Sequence, residues 1–249
     1  MTAGAMVITG GSRGIGAATA VLAARSGYDV LVGYRENSEA AHDVVATCAG
    51  VGVDAFAAPV DLADESSVVA WFSGAIERFG SISCLVNNAG IVQPQSRLDE
   101  MSAERIRRLF DVNVLGSMVC AREAVRHMST LHGGRGGSIV NVSSAAAYLG
   151  SAGEYIDYAA TKGAVDTMTV GLAREVAAEA VRVNAVRPGL IDTEIHASGG
   201  DPGRPERLAP VIPMRRVGRP DEVAQTILWL ASDAASYVTG ALLNCSGGR

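Results

Sequence analysis

One stretch near the amino terminus decides the fold: Ala5-Met6-Val7-Ile8-Thr9-Gly10-Gly11-Ser12-Arg13-Gly14-Ile15-Gly16. Its first four residues form a short apolar run typical of a buried strand, and the glycines that follow permit a tight turn. A helical pattern then begins at about Gly14 and continues to about Ser26. We therefore predict a strand, a glycine-rich turn and a helix in direct succession.

The same alternation continues to the carboxyl terminus. Short runs rich in Val, Ile and Leu alternate with helix-length amphipathic segments, which indicates a parallel sheet covered by helices on both faces. The sequence thus predicts an α/β fold: a single doubly wound domain over residues 1–249, with about seven parallel strands and right-handed crossovers. The predicted strands are 5–9, 29–34, 53–60, 84–87, 137–142, 181–186 and 241–244, and the predicted helical regions are 14–26, 38–49, 65–79, 103–131 (two stretches), 157–180 and 221–232.

Only one connection, at about residues 190–218, is long. It contains Gly199-Gly200, Pro202-Gly203 and three further prolines, too many helix breakers for a regular element. Long irregular segments in compact domains are usually lids or binding loops, and a disordered surface insertion is the alternative. We predict that this segment is a lid over a binding site.

The composition excludes several classes of function. The chain has 249 residues, 48% of them hydrophobic, and a formal net charge of −5, so it offers no basic surface for nucleic acid or an anionic membrane. The four cysteines are widely spaced without a C-x-x-C motif, which is typical of reduced thiols in the cytoplasm. The four histidines form no metal-ligand pattern with cysteines or carboxylates. No run approaches the ~18 apolar residues of a membrane span. We expect a cytoplasmic protein with no bound metal.

The glycine-rich turn has the features of a phosphate-binding loop. The unpaired N–H groups and the dipole at a helix start favour an anion, and glycines let a diphosphate approach the backbone. The spacing Gly-x-x-x-Gly-x-Gly differs from the common Gly-x-Gly-x-x-Gly fingerprint, but the strand before it and the helix after it favour dinucleotide binding over a glycine turn without a ligand. The candidate cofactor residues in the turn are Gly10, Ser12, Arg13, Gly14, Ile15 and Gly16.

The end of the second strand bears on which dinucleotide is bound. An acid at this position holds the ribose 2′-hydroxyl of NAD, whereas an arginine accommodates the 2′-phosphate of NADP. The strand ends Val32-Gly33-Tyr34-Arg35, with no acid at its tip. Arg35 alone would fit a solvated loop charge, but Arg35 and Arg13 together can close on one phosphate. We predict that NADP(H) is preferred, with NAD(H) as the alternative.

A tyrosine and the only lysine of the chain stand four residues apart. The 21 basic residues are 20 arginines and Lys162, so lysine is kept where a compact ammonium with an adjustable pKa is needed. Tyr158 and Lys162 fall near the start of a predicted helix, on one face. The ammonium and an oxidised nicotinamide would favour the phenolate, which suits proton transfer coupled to hydride transfer. Lys162 can also donate to the nicotinamide ribose. A surface tyrosine packed on a lysine stem is the alternative.

These motifs occur together in an order and spacing that resembles the short-chain dehydrogenase/reductase family. The resemblance covers essentially the whole chain and implies a Rossmann fold and an NAD(P)-dependent oxidoreductase that acts on a small-molecule carbonyl or alcohol. The motifs are Thr9-Gly10-x-x-x-Gly14-x-Gly16, Asn87-Asn88-Ala89-Gly90, Asn113, Val142-Ser143-Ser144, Tyr158-x-x-x-Lys162 and Arg187-Pro188-Gly189.

The resemblance also implies a role for each candidate residue. Tyr158 would be the general acid/base, Ser144 would hydrogen-bond the substrate oxygen, and Asn113 would hold a water that links Lys162 to solvent. Ser143 rivals Ser144, which we prefer because the family serine usually stands second in this pair. Asp61 could equally cap the helix that begins near Asp64 or Glu65. The implied cofactor contacts are Asn88, Ala89 and Gly90 along the adenosine ribose, Asp61 and Leu62 against the adenine, and Pro188, Gly189, Ile191 and Thr193 near the nicotinamide carboxamide, together with Tyr158 and Lys162.

Substrate and partners are less defined. The substrate pocket is expected from residues 91–95, 145–155 and the lid, whose side chains are of mixed polarity. A 3-oxoacyl-[acyl-carrier-protein] reductase is one alternative, which a basic patch at the site mouth would favour, and an NADP-binding sensor without turnover is another. The resemblance implies a homotetramer, with helices in 103–131 and 157–180 pairing across one axis, and the last helix and strand across another. The candidate basic residues are Arg126, Arg135, Arg215 and Arg216.

Overall fold

The seven strands form one sheet, in which every neighbouring pair is parallel. The computed structural model describes residues 3–249. The strand order is β3-β2-β1-β4-β5-β6-β7, so the predicted α/β doubly wound fold is confirmed. The strands are β1 Ala5–Ile8, β2 Asp29–Tyr34, β3 Ala55–Pro59, β4 Cys84–Asn87, β5 Gly137–Val142, β6 Val181–Pro188 and β7 Leu242–Cys245.

Helices cover both faces of the sheet because the strands are apolar on both sides. In β1, Met6 and Ile8 point into a core shared with α1, α2 and α10, whereas Val7 points into a second core with α3, α5 and α7. All three side chains are fully buried. The helices are α1 Gly14–Arg25, α2 Ser38–Ala49, α3 Glu65–Phe79, α4 Ala103–Phe110, α5 Gly116–Met128, α6 Ala146–Leu149, α7 Ile156–Val176, α8 Ile195–Ser198, α9 Arg204–Leu208 and α10 Pro220–Ala231.

The connectivity places a crevice at the carboxyl ends of the strands. The chain winds outward from β1 through β2 to β3, then returns to pair β4 with the opposite edge of β1. The connections that leave β1 and β4 therefore diverge, and ligands of open α/β sheets bind where the strand order reverses in this way.

The two helical stretches predicted within 103–131 are present as α4 and α5, which a π turn over Asp111–Leu115 joins. One segment differs from the sequence prediction. The segment 190–218 was expected to hold no regular element, and this expectation was wrong, because it contains α8 and α9. Pro205 lies in the first turn of α9, where its missing N–H costs no helical hydrogen bond.

The two ends of the 190–218 segment are hydrogen-bonded to each other. Ile191 and Gly218 form an isolated parallel bridge, with hydrogen bonds from Asp192 N to Gly218 O and from Gly218 N to Leu190 O, both 2.9 Å. The two ends of the loop are therefore held together.

In residues 3–249, no helix has both the length and the apolar character needed to cross a bilayer.

Candidate active site

The residues that follow β1 to β6 converge on one cleft of about 420 Å³. Each strand contributes at its carboxyl end, so the sheet itself brings the separate sequence motifs together. All predicted site residues line this cleft except Gly16 and Asn113. The predicted residues that line it are Gly10, Ser12, Arg13, Gly14, Ile15, Arg35, Asp61, Leu62, Asn88, Ala89, Gly90, Ser144, Tyr158, Lys162, Pro188, Gly189, Ile191 and Thr193.

The glycine-rich turn leaves the start of α1 open toward the cleft. Arg13 precedes the helix and makes no side-chain cap, so no side chain at that position takes up the N–H groups of the first turn. Gly10 and Gly14 have φ of +62° and +53°, a conformation that side chains disfavour. A Cβ on Gly10 would lie 2.9 Å from Ala89 Cα. An uncapped helix start within a backbone-lined turn fits the diphosphate of a dinucleotide.

Gly16 and Asn88 fix the position of the glycine-rich turn. A Cβ on Gly16 would lie 2.2 Å from the Gly10 carbonyl oxygen, so only glycine lets the helix pack against the turn. Asn88 Nδ2 donates to Thr9 O at 3.0 Å and to Gly10 O at 2.8 Å. Thr9 Oγ1 accepts from the backbone N–H groups of Asn88 and Ala89. The Asn-Asn-Ala-Gly motif thus fixes the phosphate loop as well as lining the cleft.

The far end of the cleft carries the two arginines of the cofactor prediction. Arg13 and Arg35 both line it and are exposed. Arg35 lies 3.5 Å from Glu36 Oε1 and 3.8 Å from Asp61 Oδ2. Glu36 also lines the cleft, and the sequence analysis did not single it out, because it follows the strand tip by two residues. The positive charge of Arg35 is therefore partly offset by two carboxylates.

The capping alternative for Asp61 was wrong. Asp64 is the residue that caps α3, since its Oδ1 accepts from Ser66 N at 2.9 Å. Asp61 Oδ1 accepts from Ala63 N at 3.0 Å, within the turn that precedes the helix. Asp61 therefore shapes the turn that lines the cleft.

Helix α7 presents Tyr158 and Lys162 to the cleft on one face. Lys162 is 4% exposed, and its Nζ donates to Val142 O at 2.7 Å. The same nitrogen lies 5.6 Å from the centre of the Tyr158 ring. Ser143 is buried, and its hydroxyl donates to Lys162 O at 3.2 Å. The Ser144 hydroxyl is less buried and accepts from Ala146 N, so it can still donate its proton into the cleft.

Asn113 lies behind the cleft, in the π turn between α4 and α5. Its Oδ1 accepts from Ile91 N at 2.8 Å, and its Nδ2 donates to Ile91 O at 2.9 Å and to Thr161 Oγ1 at 3.2 Å. A Cβ on Gly90 would lie 3.4 Å from both Asn113 Oδ1 and Lys162 Nζ, so the absence of a side chain there keeps the two groups adjacent. Asn113 thereby ties the β4 turn to α7.

Burial controls the charges of the tyrosine and the lysine. It raises the pKa of Tyr158 to about 12, while a hydrogen bond with Ser144 acts to lower it. Burial also lowers the pKa of Lys162 to about 8, against the charge of Asp166, which raises it. For the protein groups alone, desolvation is the largest effect on the Tyr158 pKa. That the ammonium and an oxidised nicotinamide together favour the phenolate stays a prediction. At neutral pH the phenol is protonated and can act as an acid.

Ile91 and residues of the 190–218 segment, the predicted lid, line one part of the cleft. Ile195 and His196 of α8 are among them, and His196 Nε2 is hydrogen-bonded to Ile191 O at 2.8 Å. Further residues that the sequence did not point to as site residues also line the cleft. All of them except Asn37 lie at a strand end or next to a predicted site residue, which is a signal that could have found them. They are Tyr34, Asn37, Val60, Val112, Val142 and Glu194, in addition to Glu36.

Two further expectations concern the candidate basic residues and metal binding. Arg126 and Arg135 are not among the residues that line the cleft, and neither are Arg215 and Arg216. Arg126 pairs with Glu123, and Arg216 pairs with Glu222. Within residues 3–249, no group of three or more His, Cys, Asp or Glu side chains is arranged to hold a metal ion. None of these four arginines therefore lines the cleft itself.

Comparison with known proteins gives full-length matches. A family model described as enoyl-(acyl carrier protein) reductase matches residues 10–249. The uncharacterized oxidoreductase YgfF of Escherichia coli K12 is 53% identical over 98% of each chain. The cis-4-hydroxycyclohexanecarboxylate dehydrogenase of Sinomonas cyclohexanicum is 41% identical over 97% of this chain and 94% of the relative. The 3-oxoacyl-[acyl-carrier-protein] reductase FabG of Staphylococcus aureus is 37% identical over 100% and 98%.

Solved structures agree with this relationship. A short-chain type dehydrogenase/reductase from Mycobacterium marinum superposes with a TM-score of 0.93 at 34% identity, over 99% of this chain and 95% of the other. A 3-ketoacyl-(acyl-carrier-protein) reductase from Brucella melitensis, complexed with NADH, gives 0.90 at 30% identity over 100% and 98%. A short chain dehydrogenase from Burkholderia cenocepacia, in complex with NADP, gives 0.91 at 32% identity over 99% and 98%. The chain therefore belongs to the short-chain dehydrogenase/reductase family, whose oxidoreductases act on alcohol and carbonyl groups.

Proposed function

We propose that the protein transfers a hydride between NADP(H) and a small-molecule carbonyl or alcohol substrate, with Tyr158 as the general acid/base. One observation carries the proposal: the Tyr158 phenol and the Ser144 hydroxyl line the same cleft as the uncapped start of α1. A proton donor, a second hydrogen-bond donor and a diphosphate site thus open into a single space. An oxidoreductase assignment also argues against the sensor without turnover.

The chemistry follows from the charges of these groups. The bound cofactor supplies the hydride to the carbonyl carbon. The Tyr158 phenol, protonated at neutral pH, donates its proton to the carbonyl oxygen, so that the product is the alcohol. Ser144 donates a hydrogen bond to the same oxygen and orients it. Lys162, 5.6 Å from the ring centre, stabilises the phenolate that is left and holds the cofactor ribose. Asn113 is proposed to hold a water through which the phenolate regains its proton.

The preference for NADP(H) is the finer part of the proposal. Arg13 and Arg35 flank the expected 2′-phosphate and are exposed to receive it, and a phosphate would displace the partial pairing of Arg35 with Glu36 and Asp61. We expect kcat/KM to be higher with NADPH than with NADH, and Arg35→Gln to reduce this ratio about tenfold or more. Arg25→Gln, at the far end of α1, is the matched control. Equal efficiency with the two nucleotides, or a preference for NADH, would refute the assignment.

The substrate class is tested by a screen. NADPH oxidation is followed by absorbance with ketones, aldehydes, keto acids and a 3-oxoacyl thioester, and alcohols are tested with NADP⁺. Tyr158→Phe should lower kcat at least 100-fold with any accepted substrate, the range of general acid catalysis. No turnover of any compound, or an active Tyr158→Phe variant, would contradict the proposed function.

A 3-oxoacyl-[acyl-carrier-protein] reductase is the second candidate. The relative from Staphylococcus aureus, 37% identical over the whole chain, supports it, whereas none of the four candidate arginines lines the cleft. The relative from Sinomonas acts, by its name, on a hydroxylated cyclohexanecarboxylate, which supports a small alcohol or ketone instead. A carrier-bound substrate turned over much faster than the free thioester would favour the second candidate.

We further propose a cytoplasmic homotetramer with residues 190–218 as the substrate lid. Four cysteines without disulfide partners in residues 3–249 support a reducing compartment. Large apolar side chains are exposed on α4, the π turn and α5, and on α10 and β7, where the resemblance implies subunit contacts. The members of the first group are Phe110, Leu115 and Met118, and those of the second are Trp229 and Leu243.

A further inference from the structure

We propose that Asp166 is a positioning residue that keeps the buried Lys162 ammonium protonated, and that Arg187 sets how strongly it does so. This role rests on the proposed function, because it concerns the charge that Lys162 carries beside Tyr158. Neither Asp166 nor Arg187 lines the cleft, so both act through Lys162 and contact no substrate.

The ammonium of Lys162 makes no ion pair with a carboxylate. Its direct acceptor is the neutral carbonyl oxygen of Val142 at 2.7 Å, and the side chain is 4% exposed. The neighbouring groups on β5, the β4 turn and the π turn are Ser143, Gly90 and Asn113, which do not titrate. The titratable groups around it are Tyr158 and Asp166 on its own helix and Arg187 from β6. A buried cation in these surroundings depends on a fixed negative charge nearby.

Asp166 can supply that charge. It lies one helical turn after Lys162 in α7, the spacing that brings side chains to the same face, and it is 6% exposed. Arg187 Nε and Nη2 both donate to Oδ2, at 2.9 and 2.7 Å, whereas Oδ1 is buried with no hydrogen-bond partner. One oxygen of this carboxylate is therefore buried without a hydrogen-bond donor, and its field extends through the surrounding low dielectric. In agreement, the charge of Asp166 raises the pKa of Lys162 against the effect of burial.

Arg187 has two opposing effects on this field. It fixes the position of the Asp166 carboxylate, and its own positive charge offsets part of the negative charge that Lys162 experiences. Its guanidinium is itself held in place, 5.4 Å from the centre of the Tyr148 ring, and Tyr148 Oη donates to Arg249 O at 2.5 Å. Removal of Asp166 and removal of Arg187 therefore break the same ion pair but change the charge near Lys162 in opposite directions.

The single lysine of the chain makes this measurable without enzyme turnover. Protein labelled with [ε-¹³C]lysine and free of lysine-containing tags has one side-chain resonance, whose chemical shift gives the Lys162 pKa in a titration from about pH 6 to 11. We expect Asp166→Asn to lower the midpoint by about 0.5 to 1 pH unit and Arg187→Gln to raise it by a similar amount. The double variant should fall between them. Glu123→Gln removes a buried carboxylate paired with arginines elsewhere and should leave the midpoint unchanged.

Opposite shifts separate an electrostatic role from a structural one. If the pair only joins α7 to β6, both single variants will lose stability without displacing the Lys162 midpoint in opposite directions, and that result would overturn the role of Asp166. If Asp166→Asn does not fold, the upward shift required of Arg187→Gln still decides the question. The alkaline limb of kcat/KM for reduction should move with the midpoint. Because the titration uses no substrate, an inactive wild type with the expected shifts would refute the proposed function alone.

Discussion

A guanidinium cannot take the place of the Lys162 ammonium. The side chain is 4% exposed and its Nζ donates to Val142 O at 2.7 Å, so a larger planar guanidinium would have to displace this buried contact. We expect Lys162→Arg to lower kcat at least 100-fold while the circular dichroism spectrum stays that of the wild type. Arg122→Lys, in an exposed ion pair, is the control and should keep its activity. Wild-type turnover in Lys162→Arg would remove the role given to this residue.

Gly16 and Gly74 differ in the space that is available for an added methyl group. A Cβ on Gly16 would lie 2.2 Å from Gly10 O, so Gly16→Ala should lower the free energy of unfolding by about 1–3 kcal/mol and weaken NADPH binding at least tenfold. Gly74, in the interior of α3, has no atom within 4 Å of the same position. Gly74→Ala should therefore raise stability by about 0.5–1 kcal/mol and leave binding unchanged. Chemical denaturation and fluorescence titration measure both, and equal behaviour of the two variants would contradict the close packing at Gly16.

The residues of the cleft were largely predictable because parallel strands all end at the same edge. A residue just after a strand, such as Arg35 or Ser144, lies at this edge because of the position of its strand, independently of its side chain. The charges at the site were less predictable. The protonated state of Tyr158 follows from desolvation, and the partial neutralisation of Arg35 follows from Glu36 and Asp61, both of which depend on three-dimensional surroundings.

At the scale of elements, Arg204 at the start of α9 fastens residues 190–218, the proposed lid, to the segment before α7. Arg204 Nη2 donates to Glu154 Oε2 at 2.6 Å, and its guanidinium lies 5.1 Å from the centre of the Tyr155 ring. Gln95 Nε2 bridges Tyr155 Oη and Asp201 Oδ2, both at 3.1 Å. Tyr155 directly precedes α7, so these contacts join the segment to the helix that carries Tyr158.

Loss of this fastening should open the lid. Arg204→Met keeps an apolar stem but removes the ion pair, so we expect KM for the substrate to rise about tenfold with a smaller change in kcat. Trypsin should cleave the variant after Arg207 faster than it cleaves the wild type. The substitution itself removes no trypsin site, because Arg204 precedes a proline. Arg78→Gln, in an exposed pair with Asp54 just before β3, at the edge of the sheet opposite the cleft, is the control. An unchanged KM together with an unchanged cleavage rate would show that the lid is held by other contacts.

The regular elements were predictable to within a few residues, and the irregular ones were not. The strands β2, β4 and β5 match the predicted ranges because their apolar runs end at turn residues. The π turn at Asp111–Leu115 has no local sequence signal, since it exists through the hydrogen bonds of Asn113 to Ile91 and Thr161, far away in the chain. The short helix α9 was missed because prolines were counted as breakers without regard to their position.

At the scale of the whole molecule, the exposed apolar surface of α4 and α5 predicts self-association. Leu115 is 53% exposed and Met118 is 44% exposed, on the helices that the family resemblance places at a subunit axis. We expect the wild type to sediment as a tetramer, and Met118→Glu to yield smaller species, because a buried unpaired charge destabilises an interface. Val51→Glu, at an apolar side chain 49% exposed beyond α2, should leave the tetramer intact. A wild type that sediments as a monomer would refute the assembly.

The burial of Lys162 has a consequence for how the exterior of the protein can be modified. Every other basic side chain is a guanidinium, so acetylation, ubiquitination and amine-directed cross-linking find no lysine on the surface. The only side-chain amine lies inside the cleft, where a bound dinucleotide would cover it. Slow acylation of this single amine would then report how often the cleft opens to solvent.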